Sequence, residues 1–244
     1  MKYRNLVLVG TSHIAEQSLR EVKFAIESEK PDILALELDK KRFYALTEGA
    51  KRKVRVADIK RIGIKGFLFN LIGAWIEEKL GKIVGVKPGS EMLEAIKLAK
   101  QNKIKIELID QDIEVTLRRI SNALTWKERF NFIIDIIKGI FFRKSELKKL
   151  GLQKLDLTKV PPKKLIKKMI DIMKERYPGL YLVLVEERNK IMAANLKAIM
   201  DIHPDKKIVA VIGAGHEEEL LNLIKSIKPE DDITYSFNIR NVYK

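Results

Sequence analysis

Along this chain, apolar runs closed by glycine alternate with segments of helical period. Leu6-Val7-Leu8-Val9 runs into Gly10, and Ile208-Val209-Ala210-Val211-Ile212 runs into Gly213. A short apolar run closed by a turn residue reads as a buried strand. The first run predicts a strand over 4–9, a loop at 10–17 and a helix over 18–29, with Ser18 as its N-cap. Leu19, Val22, Phe24, Ala25 and Ile26 give that helix a buried face. A second strand is expected over 33–38, apolar except for Glu37, as a strand covered on both faces requires.

Further along, Pro88-Gly89-Ser90 opens a helix over 91–101. The strand expected at 104–109 ends in Asp110-Gln111-Asp112. A long helix at about 180–200 carries the stripe Leu182, Val185, Asn189, Met192, Leu196 and Ile199, on which Asn189 needs a hydrogen-bonding partner. A strand over 207–212, a helix over 217–227 and a last strand near 233–237 follow. This alternation predicts an α/β fold, a mainly parallel central sheet flanked by helices. Two mostly helical insertions, about 57–90 and 121–178, are expected within a single domain spanning 1–244. The apolar stretch Ile62–Ile76 in the first is too short, and too charged at its edges, for a comfortable membrane span.

Composition narrows the chemistry. There is no cysteine, which excludes disulfides, thiolate metal sites and a cysteine nucleophile. Abundant lysine and glutamate without cysteine also fit a thermophile. The chain starts almost directly in a strand, so a cytoplasmic location is the expectation. Net charge is +15, enough to attract nucleic acid, anionic lipid or an acidic substrate. Basic residues concentrate between Lys40 and Lys65 and again between Arg143 and Lys168. A solvated lysine surface explains both, and no nucleic-acid-binding motif is present.

The chain has three histidines, and two of them share one setting. Gly10-Thr11-Ser12-His13 and Gly213-Ala214-Gly215-His216 each follow a predicted strand. Ligands of open parallel sheets bind outside the carboxyl ends of the strands, so both loops deliver a histidine toward one cleft. Neutral imidazole can ligate a metal or act as a base. Glu37 stands at a strand end on the same edge and needs a partner if buried; Arg42, one turn into the next helix, is the candidate. Asp110 and Asp112 read as site residues or as helix N-caps. Glu186 to Asn189 lies within a helix, as a paired surface or as part of the site. His203 reads as a turn residue. Histidine with carboxylates suits a divalent metal, which activates water and polarises carbonyls; a glutamate free of the metal could then move protons. Gly213-Ala214-Gly215 resembles the start of a dinucleotide loop, but Glu218 occupies the place of the third glycine. Glu217 to Glu219 would also repel a pyrophosphate there. There is no P-loop and no Gly-x-Ser-x-Gly elbow.

Taken in order, these motifs resemble the TraB family, which includes bacterial pheromone-shutdown proteins and is distantly related to the Tiki metalloproteases. The resemblance runs from Gly10-Thr11-Ser12-His13 with Ser18, through Leu36-Glu37-Leu38-Asp39 with Arg42, to Glu91, Ala95-Ile96 and Leu108-Ile109-Asp110-Gln111-Asp112 with Thr116, Leu117 and Arg119. It continues at Glu187-Arg188-Asn189 with Met192 and closes on Val211-Ile212-Gly213-Ala214-Gly215-His216. It covers almost the whole chain; Gln111 departs from it, since arginine is expected there. The resemblance implies an EreA/ChaN-like α/β fold and a metal-dependent hydrolase acting on peptides, with manganese or cobalt as the metal. It makes His13, Glu37 and His216 the central trio, the histidines as ligands and Glu37 as ligand or general base. Arg42, Glu91, Asp110, Asp112, Glu187, Arg188 and Asn189 surround them. A non-catalytic role in peptide binding or signalling regulation is the alternative. The two apolar insertions suggest a homodimer or peripheral contact with a membrane.

Overall fold

The computed structural model describes residues 1–11, 16–48, 67, 89–141 and 162–227, without the side chains of 133 and 136–141. His13, nearly all of the insertion at 57–90 and the strand expected near 233–237 lie outside the described residues.

The described strands form one five-stranded sheet. A short edge strand, β1 (Lys2–Tyr3), pairs antiparallel with β2 (Leu6–Thr11). Beyond these lie β3 (Ile33–Leu36), β4 (Lys105–Leu108) and β5 (Ile208–Gly213), in the order β1-β2-β5-β3-β4. All pairings except the first are parallel. The last of the described strands is therefore the central one, inserted between β2 and β3. Val9 pairs with Val211 and Val211 with Leu36, and Leu36 is also level with Leu108. Four strands thus end at one edge of the sheet, and Gly213, Glu37 and Asp110 lie just there.

Alternation along β5 explains why the strand is apolar throughout. Ile208, Ala210 and Ile212 enter one core with Leu6, Leu8, Met192, Leu196 and Leu220. Val209 and Val211 enter another with Val22, Ile26, Leu34, Leu36, Met92 and Ile96. Helices α1 (Glu16–Glu29) and α3 (Ser90–Gln101) cover the second face. Between them in sequence, α2 (Lys40–Thr47) is capped by Asp39, whose Oδ1 accepts from the backbone N–H groups of Lys41 and Arg42 at 2.7 and 3.1 Å. Ser18 is no cap: it lies inside α1 and is fully buried, because the helix starts before it.

The second expected insertion is helical in its described parts. α4 (Ile113–Ala123) leads into it, and α5 (Trp126–Phe141) and α6 (Lys163–Arg176) lie within it. Asp112 caps α4, accepting from the backbone N–H of Glu114 at 2.7 Å. A reciprocal cap opens α5: Glu128 Oε2 accepts from the backbone N–H of Thr125 at 2.8 Å, and Thr125 Oγ1 accepts from that of Glu128 at 3.3 Å, the capping-box arrangement. Among the described residues, no helix is long and apolar enough to cross a membrane.

The helix expected at about 180–200 is not continuous. A short helix, α7 (Pro178–Tyr181), passes into a π-helical turn, Leu182–Glu187, before α8 (Arg188–Ile202) begins. Apolar spacing alone does not separate α from π winding, and π segments are common at functional sites. The other core face is completed by α9 (Glu217–Ser226) packed beside α8.

Gly179 ties this arm to the insertion. Its backbone N–H donates to Glu128 Oε1 at 2.6 Å. A Cβ at that position would lie 2.4 Å from the Ala123 carbonyl oxygen, so the two backbones can meet only without a side chain. Gly179→Ala should cost about 1–3 kcal/mol, as overpacking does. Urea denaturation would show it as a lowered midpoint at unchanged slope.

Candidate functional site

At the carboxyl edge of the sheet, charged side chains converge where the solvent is largely excluded. Glu37 follows the last residue of β3, and its backbone N–H donates to the Val211 carbonyl at 3.1 Å. Its side chain turns inward and is 2% exposed. One carboxylate oxygen, Oε2, accepts from the Gly213 N–H at 2.5 Å; the other, Oε1, accepts from Arg188 Nη2 at 2.5 Å. Arg188 also forks onto Asp110, with Nε to Oδ1 at 2.9 Å and Nη2 to Oδ2 at 2.8 Å. Asp110 has a 3% exposed side chain and receives a second cation, Arg42, whose Nη1 lies 3.2 Å from Oδ2.

The partner expected for Glu37 is thereby corrected. Arg188 neutralises Glu37, and Arg42 donates to Asp110 instead. The β3–α2 turn holds Arg42 toward β4, whereas α8 brings Arg188 over the ends of β3 and β4 together. Burial opposes the Arg188 charge, but Glu37 and Asp110 outweigh it and hold the guanidinium above its ordinary pKa. A planar fork is suited to this double pairing.

Next to Arg188 in the chain, Asn189 faces a different partner. Successive helical residues diverge by about 100°, so Arg188 reaches the β3–β4 edge while Asn189 reaches the loop after β5. His216 Nδ1 lies 2.6 Å from Asn189 Oδ1, and Asn189 Nδ2 donates to Glu219 Oε2 at 3.0 Å. Asn189 is fully buried, so its expected need for a partner is met. His216 presents Nε2 to Glu37 Oε1 at 3.7 Å.

The remaining expected residues divide clearly. Asp112 is half exposed at the rim, with Lys41 Nζ at 2.9 Å. Burial opposes its charge, yet Lys41 and the start of α4 hold its carboxyl below the usual range. Burial pushes the neighbouring Asp39 carboxyl up. Glu187 turns away from the centre to an ion pair with half-exposed Arg119. Glu186 pairs with Lys190 on the surface. Glu91 is buried in the first turn of α3. Gln111 donates to Thr116 Oγ1 at 3.0 Å. His203 ends α8, where its carbonyl accepts from Asn5 Nδ2 at 3.0 Å, in keeping with a turn role.

The two glycine loops touch at their roots. The Ala214 N–H donates to the Thr11 carbonyl at 2.8 Å, and Thr11 Oγ1 donates to the Ile212 carbonyl at 3.1 Å. A Cβ on Gly10 would come within 3.2 Å of the Ala214 Cα. Beside the second loop opens a cleft of about 240 Å³ whose lining includes Lys163, Ile166, Ile170, Gly215, Glu217 and Asn222. Among the described residues, no three His, Asp or Glu side chains are grouped to hold a metal.

Glu219 was not singled out by sequence reasoning. Its place three residues after His216, on the same face of a helix start, was the available signal.

Comparison with known proteins agrees with this arrangement of motifs. The model of the TraB/PrgY/gumN family matches residues 2–226. An uncharacterized protein of Methanocaldococcus jannaschii is 34% identical over 235 residues, covering 94% of this chain and 55% of its own length. TraB domain-containing proteins of Bos taurus and Homo sapiens are 26% and 24% identical, covering 86% of this chain and 59% and 60% of their own lengths. The chain thus spans little more than half the length of these relatives. With an ordered set of motifs, a matching family model and a relative above 30% identity, the chain belongs to the TraB/PrgY/gumN family.

Proposed function

We propose that this chain is a metal-dependent hydrolase acting on peptides, with His216 and Glu37 at its centre. The observation that carries the reading is the paired orientation of these two groups. His216 is held through Nδ1 by Asn189, and its Nε2 faces Glu37 Oε1 at 3.7 Å. Two donor atoms, each about 2 Å from one ion, sit about 3–4 Å apart, so this nitrogen–oxygen pair fits a divalent cation. His13 is the proposed third ligand, on the loop whose root touches that of His216. Manganese or cobalt suits such a mixed set.

A divalent ion held there supplies a more acidic water and a polarised carbonyl. The protein's own groups do the rest. Arg188 and the Gly213 N–H hold the Glu37 carboxylate in place, where it would serve as a ligand through Oε1 or, left off the ion, as the base that takes a proton from the attacking water. The adjoining cleft, with Ile166, Ile170 and Gly215 in its lining beside Lys163 and Glu217, offers apolar and charged contacts to an extended peptide.

A second reading draws on the filling of Glu37. Both of its oxygens already accept strong hydrogen bonds, from Arg188 and from Gly213. Such saturation favours a metal-free cleft that captures a peptide without cleaving it.

Metal content separates the two. Wild-type protein should bind manganese or cobalt stoichiometrically, by calorimetry and elemental analysis. A folded His13→Ala, His216→Ala double variant should lose that binding. Absence of binding in wild type would overturn the hydrolase reading in favour of the second.

A further inference from the structure

The contacts of Asn189 decide which nitrogen of His216 carries a proton. Glu219 Oε2 lies 3.0 Å from Asn189 Nδ2. An ionised carboxylate only accepts hydrogen bonds, so the amide must turn its NH2 toward Glu219 and its oxygen toward His216. That oxygen also only accepts. Across 2.6 Å, Nδ1 of His216 must therefore be the donor. A neutral imidazole carries one ring proton; with that proton on Nδ1, Nε2 keeps its lone pair. Asn189 is fully buried, so water does not compete for its amide. Nε2 is the nitrogen that faces Glu37.

We infer that Asn189, locked in orientation by Glu219, is a positioning residue that holds neutral His216 as its Nδ1–H tautomer and makes Nε2 the working nitrogen. Free histidine favours the opposite tautomer, so the protein imposes this one through the hydrogen bond on the other ring atom. Outer-shell groups of this kind orient histidine ligands at metal sites generally. The significance of Nε2 rests on the hydrolase reading; the placement of the proton on Nδ1 does not depend on an ion. It also gives Glu219 a role distinct from that of Glu217 and Glu218, its neighbours in the acidic start of α9.

The test is a long-range proton–nitrogen correlation spectrum of ¹⁵N-labelled protein at pH 8.5, without added metal. The chain has three histidines, and His216→Ala assigns the signal. Wild type should show a pyrrole-like Nδ1 and a pyridine-like Nε2. Asn189→Leu should revert to the Nε2–H form. Glu219→Gln, a milder change at a partly exposed site, should give a mixture, because glutamine can donate or accept and no longer fixes the amide. An Nε2–H tautomer or an imidazolium in wild type would overturn the inference, as would a spectrum unchanged by the Glu219→Gln substitution in folded protein. Metal titration of the same samples separates the two claims: an Nδ1–H tautomer in a protein that binds no metal would remove the hydrolase reading and leave the positioning role intact.

Discussion

Arg188→Met should destabilise the protein by about 3–5 kcal/mol, the range for removing one partner from a buried ion pair. The substitution preserves much of the apolar stem but leaves two carboxylates, Glu37 and Asp110, at 2% and 3% side-chain exposure. Arg42 would still neutralise part of Asp110 from 3.2 Å. Glu37 would keep the Gly213 N–H but lose the guanidinium at 2.5 Å. Domains of ordinary stability have about 5–15 kcal/mol to lose, so equilibrium unfolding in urea should show a large fall in the midpoint. Adding Glu37→Gln and Asp110→Asn to the same variant should recover much of the loss, since the penalty comes from unpaired charge rather than from missing volume. Arg119→Met is the contrast. Its pair with Glu187 is half exposed, and such pairs contribute about 0–1 kcal/mol. Equal losses in the two variants would mean that the buried network is not what holds this edge together.

Much of this fold is visible in the order of residues. Ile208 to Ile212 is apolar without interruption because β5 is buried on both faces, and the same holds for Ile33 to Leu36. Glycine at the end of β5 marks the switch from strand to loop. What the pattern could not reveal is strand order: local periodicity carries no information on which strand joins the sheet between two earlier ones. The edge strand Lys2–Tyr3 is too short to give a pattern. In the site, buried Glu37 and Asn189 stood out because each breaks an apolar stretch and so requires a partner. The partners themselves were harder to assign. Arg42 was the nearer cation to Glu37 in sequence, yet Arg188, 151 residues away, reaches it. The π-helical turn ends on Glu187, which faces Arg119, and directly precedes Arg188 and Asn189, which face Glu37 and His216; no residue spacing predicted it.

On the proposed hydrolase reading, with Glu37 as its general base, Glu37→Gln should reduce peptide hydrolysis by about 10²–10⁴-fold, the contribution of a well-placed base, while leaving the protein folded. Glutamine keeps the volume and one acceptor oxygen but cannot take up the proton of an attacking water. Its structural cost arises at a specific place. If the oxygen stays on the Gly213 N–H, the amide NH2 meets the Arg188 donor; if it turns to Arg188, the NH2 meets the Gly213 N–H. Either mismatch costs about 1–3 kcal/mol for an unsatisfied buried group, less than the loss expected from Arg188→Met. Activity should therefore be compared below the melting transition of both proteins, on a peptide library supplied with manganese or cobalt, and checked against metal occupancy. Loss of turnover with occupancy retained assigns Glu37 to proton transfer. Loss of both together assigns it to holding the ion. Turnover within a few-fold of wild type would remove Glu37 from the chemistry altogether, and its saturated carboxylate would then be a structural counter-ion to Arg188.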